Sequence, residues 1–134
     1  MSIGMLSSGG APGKEQSMQV FETEALGQTI RAEITRLDAG LDVGVYGGQR
    51  THVGAVTLAE ADGRCRTLLR EGHSDDAVSE RFAAALAARF GVPVCVRCGI
   101  HYDGIGKAEI AAVLAACEEL LAQVLESAQD GEGI

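Results

Sequence analysis

The spacing of apolar residues changes once along this chain, and the change constrains the fold more than any other feature. Over residues 29–37, apolar side chains alternate with charged or hydroxyl ones, which is typical of a half-buried strand. Three similar segments, separated by glycine-containing turns, follow at 41–46, 52–59 and 65–70. After Ser74, apolar residues recur at helical spacing instead. The pattern therefore predicts four antiparallel strands followed by a region that contains helices.

The second half of the chain predicts two helices around one strand. Ser74 or Asp75 can cap a first helix, Gly91 can end it and Pro93 prevents its continuation. A fifth strand is expected over 92–101. A long amphipathic helix then runs from Lys107 to about Ala128, with inward-facing apolar residues at Ile110, Val113, Leu114, Cys117, Leu120, Leu121, Val124 and Leu125.

The element order ββββαβα predicts an α+β fold. We expect a two-layer sandwich in which two helices cover one face of a mostly antiparallel sheet of five to six strands. Residues 20–128 are expected to form one domain, with 1–19 as a flexible tail and 129–134 as a loose C-terminus. The uncovered sheet face, expected to carry Arg31, Glu33, Gly44, Tyr46, Arg97 and His101, suggests a homodimer.

Composition excludes several classes of function and partner. The net charge is −8 with only 11 lysines and arginines, which argues against binding to nucleic acid. No stretch is long and apolar enough to span a membrane, and the first residues do not resemble a secretory signal. The cytoplasm is therefore the expected location. It also suits the 4 cysteines, which are expected to be free thiols.

All three histidines of the chain are expected at one edge of the sheet. They lie in the segments 47–52, 71–76 and 99–104, which follow or precede strands whose directions bring these ends together. We call these three segments the histidine edge. One histidine beside a turn is commonly just exposed, but three together with neighbouring glycines and acidic residues predict a binding site.

The residue types at the histidine edge fit several ligands. Both helices are predicted to begin there, so free backbone N–H groups, Arg50 and Lys107 can attract a phosphate or carboxylate. A divalent metal is also possible, with His52, His73 and His101 as candidate ligands beside one of the carboxylates Asp75, Asp76 or Asp103. The spacing of the histidines, however, matches no common zinc motif.

Two other pairs of residues are given structural interpretations. The adjacent carboxylates Asp75 and Asp76 are interpreted as helix-capping, with Asp76 as the preferred N-cap. Cys95 and Cys98 have the spacing of a redox motif, but residues three apart on a strand point to opposite faces. A redox role is therefore not predicted.

Three segments resemble the prenylated-flavin chaperone family, the small subunits that accompany hydroxyarylic-acid decarboxylases. The segments are RTHVGAV at 50–56, GHSDDAVSERFAAALAARFGVPVCV at 72–96 and GIHYDGIGKAEI at 99–110. The resemblance implies a fold like that of proteasome-assembly chaperones, a dimer, and binding of prenylated FMN for delivery to a partner decarboxylase. Ser74 stands where the family pattern suggests a basic residue, so Arg50 or Lys107 is expected to serve the phosphate instead.

The resemblance and the histidine edge together define a predicted cofactor site. Its residues are Arg50, His52, Gly54, Gly72, His73, Asp75, Gly99, His101, Asp103 and Lys107. Three functions remain open at this point. The chain is a non-catalytic carrier of prenylated FMN or FMN, a metal-assisted enzyme acting on a small molecule, or a cofactor-free assembly factor for the large subunit of a flavin-dependent decarboxylase.

Overall fold

The computed structural model describes residues 18–127, which form six strands and two helices. In chain order the elements are β1 Met18–Ala25, β2 Gln28–Leu37, β3 Gly40–Gly48, β4 Arg50–Ala59, β5 Cys65–Leu69, α1 Asp76–Phe90, β6 Val94–His101 and α2 Lys107–Ser127. Gly91 ends α1 in the left-handed conformation, with φ 67°, as its position in the sequence predicts.

The six strands form one open sheet in the order β1-β2-β3-β6-β4-β5. The β3–β6 pair is parallel and the other four neighbouring pairs are antiparallel. Both helices pack on the same face of this sheet, where α1 lies on β4 and β6 and α2 lies on β1 and β2. The predicted α+β sandwich, with a mostly antiparallel sheet and both helices on one face, is confirmed.

The core lies between the sheet and the helices. Alternate residues of β2, β3 and β6 point into it, and α1 contributes Phe82 and Leu86, both almost completely buried. Two hydroxyl side chains, those of Thr57 and Ser79, are also completely buried. The Thr57 hydroxyl lies 2.8 Å from the Thr67 hydroxyl and 2.8 Å from the Ser79 hydroxyl, so its hydrogen-bonding capacity is satisfied.

The first strand was not predicted from the sequence. β1 begins at Met18, inside the segment expected to be a tail, so the element order is βββββαβα. Most of β1 is exposed because, within residues 18–127, it is an edge strand that pairs only with β2. Its apolar residues therefore show no clear alternation. The remainder of the expected N-terminal tail, and the expected C-terminal end at 129–134, lie outside the described residues.

The inward face of α2 is shorter than expected. Val113, Cys117, Leu120, Leu121 and Val124 are buried as predicted. Ile110 and Leu114 are instead 45% and 42% exposed. Within residues 18–127, no helix combines the length and apolarity needed to cross a membrane.

Candidate functional site

The topology brings the three histidines together. β3 and β6 run parallel and both end at the histidine edge, while the antiparallel β4 begins there. The ring centroid of His52 lies 4.8 Å from that of His73 and 6.1 Å from that of His101. The predicted convergence of three separate segments is therefore present in the structure.

A bulge in β4 turns His52 toward this site. The pairing of β4 with β6 shifts between Thr51 and Ala55, so three residues of β4 stand opposite Gly99 alone. Regular alternation from the inward-facing Ala55 would place His52 on the uncovered sheet face. Within the bulge its imidazole instead meets the Asp75 carboxylate, at the start of α1.

Asp75 joins β4 and β6 to the start of α1. Its Oδ2 lies 3.0 Å from Nε2 of His52, and its Oδ1 accepts a hydrogen bond of 3.0 Å from the backbone N–H of Ile100. The residue is only 8% exposed. Asp75 occupies the N-cap position of α1, but its side chain makes no capping bond because the carboxylate points toward β4 and β6. The expectation that Asp76 is the N-cap was wrong, since Asp76 is the first residue of the helix.

His101 forms a second, more exposed pair with Asp103. Nε2 of His101 and Oδ1 of Asp103 are 2.7 Å apart. This hydrogen bond, together with the charge of His101 and of Arg50, lowers the pKa of Asp103. The backbone N–H of Asp103 also donates to Oε1 of Gln49, 2.6 Å away, so the loop after β6 is fastened to the turn before β4.

Two of the predicted glycines, Gly54 and Gly99, make room for other residues of the site and do not line the cleft described next. A Cβ on Gly54 would collide with the Asp75 carboxylate, and a Cβ on Gly99 would collide with the backbone carbonyl of His52. Both glycines therefore permit close approach of other parts of the site. Gly72 does line that cleft.

A cleft of about 530 Å³ opens beside the histidines, between the two helix starts. Its polar side is formed by His52, His73, Ser74, Asp75 and His101. Its apolar side is formed by residues that were not predicted for the site, namely Ala77, Val78, Ile100, Tyr102, Ile105, Ile110, Val113 and Leu114. The sequence did contain a signal for this apolar lining. The apolar stripe of α2 begins at Ile110, one turn before Val113, the first residue of the helix that is buried.

The basic residues of the predicted site lie outside the cleft lining. Arg50 begins β4 and Lys107 begins α2, and both are exposed. At the start of α2, Oε1 of Glu109 accepts a hydrogen bond from the backbone N–H of Gly106 at 2.9 Å. The start of α1 carries Asp75 and Asp76, so negative charge is concentrated at this helix N-terminus. That charge makes the N-terminus of α1 unfavourable for binding an anion.

The cysteine pair has the geometry expected of structural residues. Cys95 faces the uncovered side of the sheet and Cys98 faces the core. Burial is the largest cause of the raised pKa of the Cys98 thiol, followed by the charge of Asp75. A buried, protonated thiol is a poor nucleophile.

The candidate metal-binding set differs from the one predicted. His52, His73 and Asp75 place one ligand atom each within 4.8 Å of the others. His101 is not part of this group, because its Nε2 is held by Asp103. The sequence had offered all three of these residues as possible metal ligands, with His101, Asp76 and Asp103 as further candidates that do not belong to this group.

The matching family model and a curated relative agree on one family. Residues 24–129 match the family described as prenylated flavin chaperone LpdD-like domain. The chain is 30% identical over 113 residues to Protein LpdD of Lactiplantibacillus plantarum, covering 81% of this chain and 83% of that protein. A solved structure of a chaperone complex for yeast 20S proteasome assembly matches with a TM-score of 0.49 and 14% identity, over 81% of this chain and 95% of that one. The chain therefore belongs to the prenylated flavin chaperone LpdD-like family.

Proposed function

We propose that this protein binds prenylated FMN in the cleft beside the histidine edge and holds it for a partner aryl-acid decarboxylase, without catalysing a reaction itself. The family assignment over residues 24–129 supports a role with prenylated flavin. The observation that carries the location is the cleft itself, which combines a polar histidine side with an apolar helical side.

The dimensions and lining of the cleft suit such a ligand. Its volume of about 530 Å³ lies within the roughly 300–1,000 Å³ that is usual for small-molecule sites. The imidazoles of His52, His73 and His101 can donate or accept hydrogen bonds along the edge of a heteroaromatic ring. The histidine side of the cleft therefore suits the polar edge of a flavin ring, and the apolar side suits its flat face.

The apolar side offers a basis for choosing the prenylated form. Ile110 and Leu114 are large apolar side chains that line the cleft. Both remain exposed to water in the folded protein, which is unfavourable. Covering them with a prenyl group would remove apolar surface from water, at about 0.8 kcal/mol for each buried methylene. Plain FMN lacks this group and should bind more weakly.

We place the phosphate nearer the start of α2 than the start of α1. Asp75 and Asp76 would repel an anion at α1, whereas Lys107 begins α2 and Arg50 lies close enough to Asp103 to influence its pKa. The phosphate contacts in this proposal are charge-assisted hydrogen bonds from these two exposed side chains.

The proposed partner is the large subunit of a flavin-dependent decarboxylase in the cytoplasm. A protein that covers a reactive cofactor must release it to an acceptor, and the cleft is partly open to solvent. Co-purification of the two proteins, with transfer of bound flavin to the cofactor-free large subunit, tests this part. Co-purification without any flavin binding by this chain would support a cofactor-free assembly factor instead.

We also propose that two copies associate through the uncovered sheet face. That face presents the exposed apolar residues Val20 and Val53 beside Tyr46 and Arg97. His101, which was expected on this face, lines the cleft instead. Light scattering of the purified protein should give twice the chain mass, and a monomer at micromolar concentration would refute the dimer.

The decisive experiment is an anaerobic titration with prenylated FMN, followed by absorbance and fluorescence, with plain FMN as the comparison ligand. We expect saturable binding that favours the prenylated form. His73→Ala and His101→Ala should each weaken binding without unfolding the protein, because both side chains are partly exposed. Leu114→Ala should reduce the preference for the prenylated form more than it reduces binding of plain FMN.

Arg64→Ala is a suitable control for these variants. Arg64 is exposed and follows β4 at the end opposite the histidine edge, where it pairs only with Asp62 among the described residues. The Arg64→Ala variant should bind prenylated FMN and plain FMN with the same affinities as the unaltered protein. Full flavin affinity in both histidine variants would exclude the cleft as the binding site.

A further inference from the structure

We propose that His52, His73 and Asp75 bind a divalent transition-metal ion of the zinc type at the polar side of the cleft. Oδ2 of Asp75 lies 3.0 Å from Nε2 of His52 and 3.9 Å from Nδ1 of His73. All three ligand atoms lie within 4.8 Å of one another. Two imidazole nitrogens and one carboxylate oxygen are a common ligand set for zinc.

The separations suit one shared ion. Zinc bonds of about 2.0–2.2 Å in a tetrahedral arrangement hold neighbouring ligand atoms roughly 3.3 Å apart. The distance to His52 is slightly shorter than this value and the distance to His73 slightly longer. The third separation, between the imidazole nitrogens of His52 and His73, is at most 4.8 Å, so rotation of the two imidazoles toward each other would enclose an ion.

Hydrogen bonding alone accounts for only part of this arrangement. His52 is within hydrogen-bonding distance of the Asp75 carboxylate, but 3.9 Å is too long for a hydrogen bond from His73. His73 nevertheless packs against the His52 ring and directs Nδ1 toward the same oxygen. A common metal ion explains why both imidazoles converge on Oδ2.

The buried charge of Asp75 also favours a cation. The residue is 8% exposed, and within residues 18–127 its ion-pair partners are two histidines, which are positive only when protonated. A buried carboxylate without a permanent positive partner is costly. A divalent ion would provide a permanent positive charge at this position.

The surroundings hold the carboxylate in place for this role. The Ile100 N–H donates to Oδ1, which leaves Oδ2 directed at the histidines. Gly54 has no Cβ, so Oδ2 and the His52 ring can meet above the bulge in β4. Hydrogen bonds of this kind orient metal ligands and raise affinity. With three protein ligands, the fourth position faces the cleft and is open to water or to an oxygen of a bound molecule.

The test measures metal binding by the full chain without flavin, so its result is independent of the proposed function. Chelator-treated protein is titrated with Zn²⁺ by calorimetry and with Co²⁺ by visible absorption. We expect one ion per chain and a Co²⁺ spectrum typical of nitrogen and oxygen ligands. His73→Ala and Asp75→Asn should each weaken Zn²⁺ binding at least ten-fold, as loss of a ligand requires.

Two further variants separate this site from other metal-binding groups. His101→Ala should keep the Zn²⁺ affinity, because Nε2 of His101 is held by Asp103. Cys65→Ser, which removes an exposed thiol, should keep it as well. His73 lies in a loop with its side chain 27% exposed, so His73→Ala is expected to fold, and its circular dichroism spectrum verifies this.

Three results would overturn the proposal. The first is an absence of saturable Zn²⁺ binding by the unaltered chain. The second is an unchanged affinity in folded His73→Ala, and the third is an equal loss in Cys65→Ser. None of these results would decide whether the protein binds flavin, because the flavin titration does not require the metal ion.

Discussion

Gly54 and Asp75 are fitted to each other: the Asp75 carboxylate occupies the space that any side chain at Gly54 would fill. Gly54 lies in the bulge of β4, and Asp75 precedes α1, so this contact joins the sheet to the helix directly at the histidine edge. The absence of one carbon atom therefore decides where the buried carboxylate stands and which histidines it meets.

Gly54→Ala should displace Asp75 and weaken both stability and ligand binding. The added methyl group would collide with the carboxylate, and such overpacking costs about 1–3 kcal/mol. Urea denaturation measures the free energy of unfolding, and the flavin titration measures binding. Gly106→Ala is the matched control, because a Cβ there has only Glu109 nearby, at 3.9 Å. Equal effects of the two substitutions would contradict this account of Gly54.

Leu86→Ala should reduce the free energy of unfolding by about 2–5 kcal/mol. Leu86 is 0% exposed and belongs to the core between α1 and the sheet, so truncation leaves a cavity. Leu68→Ala, at a position that is 78% exposed, should change the free energy of unfolding by less than about 0.5 kcal/mol. Thermal or urea unfolding compares the two, and a loss below 1 kcal/mol in Leu86→Ala would place Leu86 outside a well-packed core.

Thr57→Val should destabilise the protein by about 1–3 kcal/mol although valine has nearly the same shape. The substitution removes the buried hydroxyl that lies between Thr67 and Ser79, and it leaves the Ser79 hydroxyl with a poorer hydrogen-bond arrangement. Thr51→Val, at an exposed position of the same strand, serves as the comparison in equilibrium denaturation. A double variant with Ser79→Ala should lose less than the sum of the single changes, because the two hydroxyls share one interaction.

Alkaline pH should unfold the protein in part through Cys117. Burial is the largest cause that raises the pKa of this thiol, from 9.0 to about 12. Because the folded pKa lies above the unfolded one, the stabilisation is complete below pH 9 and is lost as the pH rises toward 12. Within that window this thiol lowers the free energy of unfolding by about 1.4 kcal/mol per pH unit.

The contribution of Cys117 is measured by denaturation at several pH values. Cys117→Ala should show a shallower loss of stability between pH 9 and 12 than the unaltered chain. Cys65→Ala, which changes an exposed thiol, should keep the original slope. Identical slopes in all three proteins would mean that Cys117 is not shielded from water in the folded state.

Local sequence was sufficient to predict most of the elements. Alternation over residues 29–70 placed β2 to β5, and the change of period after Ser74 placed α1, β6 and α2. Turn glycines then fixed the strand directions, and these directions were enough to collect His52, His73 and His101 at one edge. β1 escaped prediction because an exposed edge strand has little apolar alternation.

Periodicity and turns act over a few residues, so the amino-acid sequence was enough to predict the edge at which the histidines meet and every element except β1. Long-range packing places β6 between β3 and β4, and a bulge there turns His52 toward Asp75. The tertiary structure also decided that Ile110 and Leu114 line a cleft and do not enter the core. These features depend on contacts between residues distant in the chain, where the space left by one segment sets the position of another.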